Sequence, residues 1–273
     1  MYRILILIFF FSGAAHAAQW KLVWSDEFDY QGLPDSTRWN YEEGFVRNRE
    51  LQYYTRARSR NAFAEKGMLV LEARRERFKN PLYDPAGKND WRKENEYAEY
   101  TSASLTTQHR ASWKYGRIEV RAKLPTGRGM WPAIWMLGSN IGEVGWPQCG
   151  EIDIMENVGY NPDTVYGTVH TGKYNHVLKT QKGSRIGVAQ PYVDFHVYAV
   201  EWDSHKMDFF VDDTKYFTFR NDGTGEAAWP FDRDHYLILN IAVGGAWGGS
   251  EGIDSDIFPQ RMYVDYVRIY QQQ

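Results

Sequence analysis

The chain has 273 residues and a formal net charge of −3, which leaves no basic surface of the kind nucleic acid requires. Its single cysteine, Cys149, excludes an intramolecular disulfide, so stability has to come from the size of one core. Aromatic residues make up 16% of the chain, with 11 Trp and 19 Tyr, an excess to be divided between that core and a groove with flat apolar walls.

Residues 1–17 read as a secretory signal, with Arg3 as the basic region, an apolar run over 4–11 and Ala15-His16-Ala17 as the cleavage site. The run is shorter than the ~20 residues a spanning helix needs. The expectation is therefore a single exported domain over 18–273, monomeric, free of the membrane after cleavage, and periplasmic or secreted. Loss of Arg3 takes the formal charge from −3 to −4.

Short β-rich segments bounded by Gly, Pro, Asn and Asp recur from Trp20 to Tyr270, without sustained helical periodicity. Segments 68–74, 116–124, 195–202, 207–211, 236–243 and 262–270 read as strands. In 116–124, Ile118, Val120, Ala122 and Leu124 alternate with Arg117, Glu119, Arg121 and Lys123, the pattern of a half-buried antiparallel strand. Such spacing predicts an all-β fold, a β-jelly-roll sandwich of two antiparallel sheets. Residues 79–96 and 174–190 are polar and read as loops that shape a site. No repeat or low-complexity linker suggests an appended module.

Within 129–137, Trp131 and Trp135 fall on one face of a strand, either as stacking platforms for sugar rings or as core residues. Next comes Gly150-Glu151-Ile152-Asp153-Ile154-Met155-Glu156-Asn157. Glu151 and Asp153 share a face, whereas Glu156 is out of phase in a regular strand. A β-bulge between Asp153 and Glu156 restores it to that face. The two glutamates then lie about 13 Å apart along the strand, and inward-leaning side chains narrow this toward the roughly 5–5.5 Å carboxyl gap of retaining glycoside hydrolysis. That chemistry needs one ionised carboxylate and one protonated acid. Glu151 is assigned as nucleophile, Asp153 as its hydrogen-bonding partner and Glu156 as acid/base, its proton retained by neighbouring negative charge.

Cys149 reads as a small wall residue, since no His-Asn or His-Asp arrangement surrounds it to make a thiol nucleophile. His170 is either a ligand for a sugar hydroxyl or the acids, or a satisfied core histidine. Trp247, flanked by Gly244-Gly245-Ala246 and Gly248-Gly249, sits on a loop stripped of shielding side chains. Asp265 shares a strand face with Tyr263, Val267 and Ile269, so it is expected to be buried and compensated, either by a hard cation or by an ion-pair network. No metal-hydrolase, P-loop or dinucleotide spacing is present, so catalysis is expected to need no cofactor.

The segment Gly150-Glu151-Ile152-Asp153-Ile154-Met155-Glu156 resembles the bulged E-x-D-x-x-E signature of glycoside hydrolase family 16, in the form typical of laminarinases, the endo-1,3-β-glucanases. The likeness continues through Trp24-Ser25-Asp26-Glu27-Phe28, Asn48-Arg49-Glu50-Leu51-Gln52-Tyr53-Tyr54-Thr55, Tyr100-Thr101-Ser102-Ala103, Asn240-Ile241-Ala242-Val243-Gly244-Gly245 and Val264-Asp265-Tyr266-Val267-Arg268-Ile269-Tyr270, in order. It implies a jelly roll with a concave groove, retaining hydrolysis of internal β-1,3 bonds of laminarin-type or mixed β-1,3/1,4 glucans, and the roles given above to the three acids. It also implies that Asn48, Trp131, Trp135, His170 and Trp247 line the cleft, and that a structural Ca2+ is held by Glu27, the Gly67 carbonyl and Asp265. Segments 79–96 and 174–190 follow no family pattern. The competing readings are a hydrolase or transglycosylase for another β-linked polysaccharide such as an algal galactan, for which Arg92 and Lys93 speak, and a non-catalytic glucan-recognition protein, which the intact set of acids disfavours.

Overall fold

A computed structural model describes residues 19–86 and 89–273, so the signal assigned to 1–17 lies outside the described residues. Among them the chain forms seventeen strands and two one-turn helices. In chain order the strands are β1 (Trp20–Asp26), β2 (Asn40–Tyr41), β3 (Gln52–Tyr54), β4 (Ala62–Glu65), β5 (Met68–Lys79), β6 (Tyr97–Ser102), β7 (Ser104–Thr106), β8 (Gly116–Lys123) and β9 (Met130–Gly138). They continue as β10 (Glu151–Val158), β11 (Asn161–His170), β12 (Lys182–Gly187), β13 (His196–Trp202), β14 (Lys206–Val211), β15 (Thr214–Arg220), β16 (His235–Val243) and β17 (Gln260–Gln272). Helix α1 is Ile141–Val144 and helix α2 is Gly245–Gly248.

Two sheets stack as a sandwich of jelly-roll type. One has ten strands, ordered β15-β14-β13-β8-β17-β5-β6-β3 with β1 on β17 and β4 on β5; the other has seven, ordered β12-β11-β10-β9-β16-β7-β2. Pairing is antiparallel except between β3 and β6, which run parallel. The alternation expected for β8 is present: Ile118, Val120 and Ala122 are fully buried while the charged positions between them are half-exposed. Their buried face meets Leu69, Leu71, Val264, Val267 and Ile269 from the same sheet and Ile134, Met136, Ile152, Leu237 and Leu239 from the opposite one.

The seven-stranded sheet is covered on both sides, and the period of two decides what each side holds. In β9, Met130, Ile134 and Met136 enter the inter-sheet core, while Trp131, Ala133, Trp135 and Leu137 face outward. In β16, Leu237, Leu239, Ile241 and Val243 face the core, and Tyr236, Asn240 and Ala242 face outward. The outer face forms a second, smaller apolar layer with Cys149 and Ile238.

Two expectations need correction. Residues 174–190 are not loop throughout, because β12 adds an edge to β11 through six paired positions. Its sequence Lys-Gly-Ser-Arg-Ile-Gly offers one apolar side chain, Ile186, which packs against the core, so backbone pairing supplies most of its hold. Asp265 does not share the buried face of β17. The register slips between Val264 and Tyr266, so burial passes from Met262 and Val264 to Val267 and Ile269, and Asp265 sits half-exposed at the irregularity.

Close backbone approach fixes the end of the strand that matters most. Gly159 follows β10 and donates its N–H to the Met130 carbonyl at 2.8 Å; a Cβ here would stand 1.7 Å from the Gly127 carbonyl oxygen. Gly159→Ala is expected to cost about 1–3 kcal/mol and to lower the melting temperature by roughly 2–4 °C per kcal/mol in thermal unfolding of purified protein.

Candidate active site

Strand β10 carries the bulge. Against β9, Glu151 pairs with Leu137 and Asp153 with Trp135, then the register slips, so that Met155 pairs with Ile134 and Glu156 with Ala133. Ile154 is the extra residue, and both it and Met155 are fully buried in the core. Glu151, Asp153 and Glu156 consequently all point to the outer face, where with Arg47, Trp131, Trp135 and Asn240 they line a cleft of about 580 Å³.

Each glutamate is held by an indole. Trp146 donates its Nε1–H to Glu151 Oε2 at 2.9 Å, and Trp131 donates to Glu156 Oε1 at 3.0 Å. Burial raises Glu151 from 4.5 to about 7, opposed by the Trp146 hydrogen bond, the Arg47 charge and a hydrogen bond from Asp153. Burial likewise raises Glu156 to about 8, reinforced by the Glu151 charge and opposed only by Trp131. Asp153 is held well above its ordinary value by burial, and then by the charges of Glu151 and Glu156. Burial thus disfavours the charged form of all three acids. Among them Glu151 alone has, after the Trp146 N–H, a cation among the causes that oppose burial.

That cation, Arg47, packs 4.7 Å from the centroid of the Trp135 ring and pairs with Glu42, whose other oxygen accepts from Ser104 at 2.6 Å. A second buried carboxylate, Glu50, anchors the floor. It accepts from Gln52 at 2.7 Å, Asn48 at 3.2 Å and the Tyr54 hydroxyl at 3.4 Å. Asn240 donates to Tyr54 at 3.0 Å and accepts the Trp135 indole N–H at 2.7 Å. Gly245, at φ 75°, lets α2 lie against this anchor, since a Cβ would come within 3.0 Å of Glu50 Cγ.

Two loops complete the rim, and each hangs on one buried asparagine. Asn80 donates to the carbonyls of Arg92 and Asn95 at 2.9 and 3.0 Å, which presents Trp91 and Arg92 to the cleft. Asn175 donates to the Thr171 carbonyl at 3.0 Å and accepts from the Leu178 N–H at 3.1 Å. Its neighbour His176 then packs on Trp146, 5.0 Å between ring centroids.

Of the residues expected in the cleft, Asn48, Trp131 and Trp135 line it. Trp247 stands beyond them, edge-on to Trp131 at 5.4 Å and to Tyr166 at 5.1 Å. His170 lies behind the acids, its Nε2 at 3.4 Å from Asp153 Oδ2 and 3.6 Å from Glu151 Oε1. Burial holds it neutral, its pKa lowered to about 4. Cys149 is a buried wall residue whose thiol burial pushes up to about 11, so it is no nucleophile at neutral pH. Of the residues expected to hold calcium, Glu27 accepts from Arg268 through both oxygens at 3.0 and 2.8 Å, and Asp265 pairs with Arg121. Arg47, Glu50, Trp146 and His176 were not read from the sequence. Only the position of Glu50 within 48–55 offered a signal.

The family model described as "Glycosyl hydrolases family 16" matches residues 51–268. The chain is 52% identical over 263 residues to the "Beta-glucanase" of Rhodothermus marinus, covering 93% of this chain and 86% of the relative. Its structure resembles that of the laminarinase from Rhodothermus marinus with a TM-score of 0.85 and 50% identity, covering 94% and 99% of the two chains. It also resembles a variant of SCLam, a non-specific endo-beta-1,3(4)-glucanase co-crystallized with 1,3-beta-D-cellotriosyl-glucose, with a TM-score of 0.83 and 46% identity over 94% and 97%.

Raised carboxyl pKa values tie stability to pH with a definite sign. Between about 4.5 and 8 the folded chain keeps protons on Glu151 and Glu156 that the unfolded chain releases, so stability present below this window is lost as pH rises through it. Glu151→Gln and Glu156→Gln are each expected to raise the melting temperature relative to the parent at pH 9 and to change it little at pH 5, as read by calorimetry at the two pH values.

Proposed function

This chain belongs to the glycosyl hydrolases of family 16, and from that premise we infer that it is a retaining endo-β-1,3(4)-glucanase acting on laminarin-type and mixed-linkage β-glucans. The observation that carries the reading is the division of the two glutamates by their surroundings. Glu151, under the Arg47 charge and the Trp146 N–H, is the carboxylate that ionises first; Glu156, without a cation, retains its proton longer.

The chemistry follows from that order. A β-glucan chain lying in the cleft presents its anomeric carbon to ionised Glu151 while Glu156 protonates the departing glycosidic oxygen. A covalent glycosyl-enzyme forms with Glu151. Glu156, now ionised, takes a proton from water, which attacks the same carbon and restores the β configuration. Asp153 keeps its proton and donates it toward Glu151, which orients the nucleophile and spares the site a third negative charge. Trp91 and Trp131 supply aromatic faces for pyranose rings, while Trp135, covered by Arg47, belongs to the cleft wall.

For the anionic-galactan reading, Arg92 donates from Nε and Nη2 to the Val46 carbonyl at 3.3 and 3.2 Å, and both Arg92 and Lys93 lie near Asp90, which engages part of their charge. A role in recognition alone leaves the proton-sharing acids unexplained. The apolar, basic-headed segment 1–17 supports action outside the cytoplasm.

The purified protein should release oligosaccharides from laminarin and lichenan but not from agarose or carrageenan, with sizes that mark internal cleavage. Glu151→Gln should lower kcat by more than about 10³-fold and Glu156→Gln by about 10²–10⁴-fold, with oligosaccharide binding retained. Substantial residual turnover in Glu151→Gln rejects its role. Arg47→Gln removes the positive charge facing the nucleophile, so the acidic limb of kcat/KM against pH should move upward, and Arg47→Lys should move it back.

A further inference from the structure

The geometry points to a second use of the acid face: Glu151, Asp153 and His170 together form a reversible inhibitory site for a borderline transition-metal cation such as Zn2+. Glu151 Oε1, Asp153 Oδ2 and His170 Nε2 all lie within 4.8 Å of one another. Asp153 is only 3% exposed, and its Oδ2 has no hydrogen-bond partner. The Nε2 of His170 stands 3.4 Å from that oxygen and 3.6 Å from Glu151 Oε1, and neither approach is a hydrogen bond. A tetrahedral zinc with ligands at about 2.0–2.1 Å holds its donor atoms roughly 3.3–3.4 Å apart. The two imidazole–carboxylate separations, 3.4 and 3.6 Å, are close to that edge length.

The rest of the surroundings fits. Glu151 uses Oε2 for the Trp146 N–H and so keeps Oε1 for a ligand. The neutral imidazole is the form of His170 that binds metal. The cleft supplies the open fourth position for water. One imidazole and two carboxylates favour Zn2+ or Cu2+ over Mg2+ and Ca2+, which prefer all-oxygen shells of six or more ligands. A cation competes with protons for the carboxyl oxygens and the imidazole, so binding releases protons and weakens as pH falls. His170 Nδ1 is buried without a partner, whereas resident metal sites fix that nitrogen with an acceptor. The site is therefore suited to reversible occupancy, and a bound cation blocks the nucleophile directly.

The test is calorimetric titration of the intact protein with ZnCl2 at pH 7.5, in two buffers of different ionisation enthalpy, beside titration with MgCl2. One Zn2+ per chain with net proton release, no comparable Mg2+ binding, and an intense tetrahedral visible spectrum on Co2+ substitution are expected. His170→Gln and Asp153→Asn should each weaken Zn2+ binding by more than about tenfold, with folding checked by near-UV circular dichroism; if either fails to fold, the near-isosteric Glu151→Gln should give the same loss. Absence of binding, Zn2+ affinity unchanged in the folded variants, or a pale six-coordinate Co2+ spectrum overturns the inference.

Discussion

The whole site depends on forcing three carboxyl groups into one patch of low dielectric, where Arg47 is the cation that acts on Glu151. Buried like charges cannot all ionise, and the protein does not relieve the conflict with more cations. It leaves protons in place. The field is made uneven by Arg47 over Trp135 and by indole donors placed one per glutamate. Two residues of the same type on the same strand thus differ through their neighbours alone.

Holding such a patch together needs a rigid floor, and the floor is polar. Trp135, Asn240, Tyr54, Glu50, Gln52 and Asn48 form one connected series of hydrogen bonds, tied to the backbone where Gln52 accepts from the Val243 N–H at 2.7 Å. A satisfied buried network of this kind fixes geometry more strictly than apolar packing, because each lost bond strands a partner. It also links the seven-stranded sheet to β3 and to the turn bearing Trp247, so the two ends of the cleft share one support.

Much of this was legible in the residues. Parity placed Trp131 with Trp135 and Glu151 with Asp153, and the odd spacing of Glu156 required the bulge that β10 contains. What escaped depends on contacts distant in sequence or on irregular backbone. Arg47 gains its meaning from Trp135, and Trp146 from the fold that returns its ring to Glu151. Asp265 was misread because a slip in β17 changes the phase that alternation assumes. The two rim loops showed no periodicity, since their order comes from individual polar groups, Asn80 and Asn175 foremost, satisfying backbone groups. β12 gave no periodic signal because an edge strand held mainly by main-chain pairing needs only one apolar anchor, here Ile186.

The bulge itself has a consequence for how this strand can vary. Ile154 and Met155 both point into the core opposite the single residue Ile134, so the extra residue is absorbed entirely on the side away from substrate. A shorter relative with one apolar residue at this point would still direct its last acid outward. Drift in length by a single codon therefore alters twist and spacing at the scissile bond without inverting the strand, and the catalytic pair can be retuned by deletion as well as by substitution.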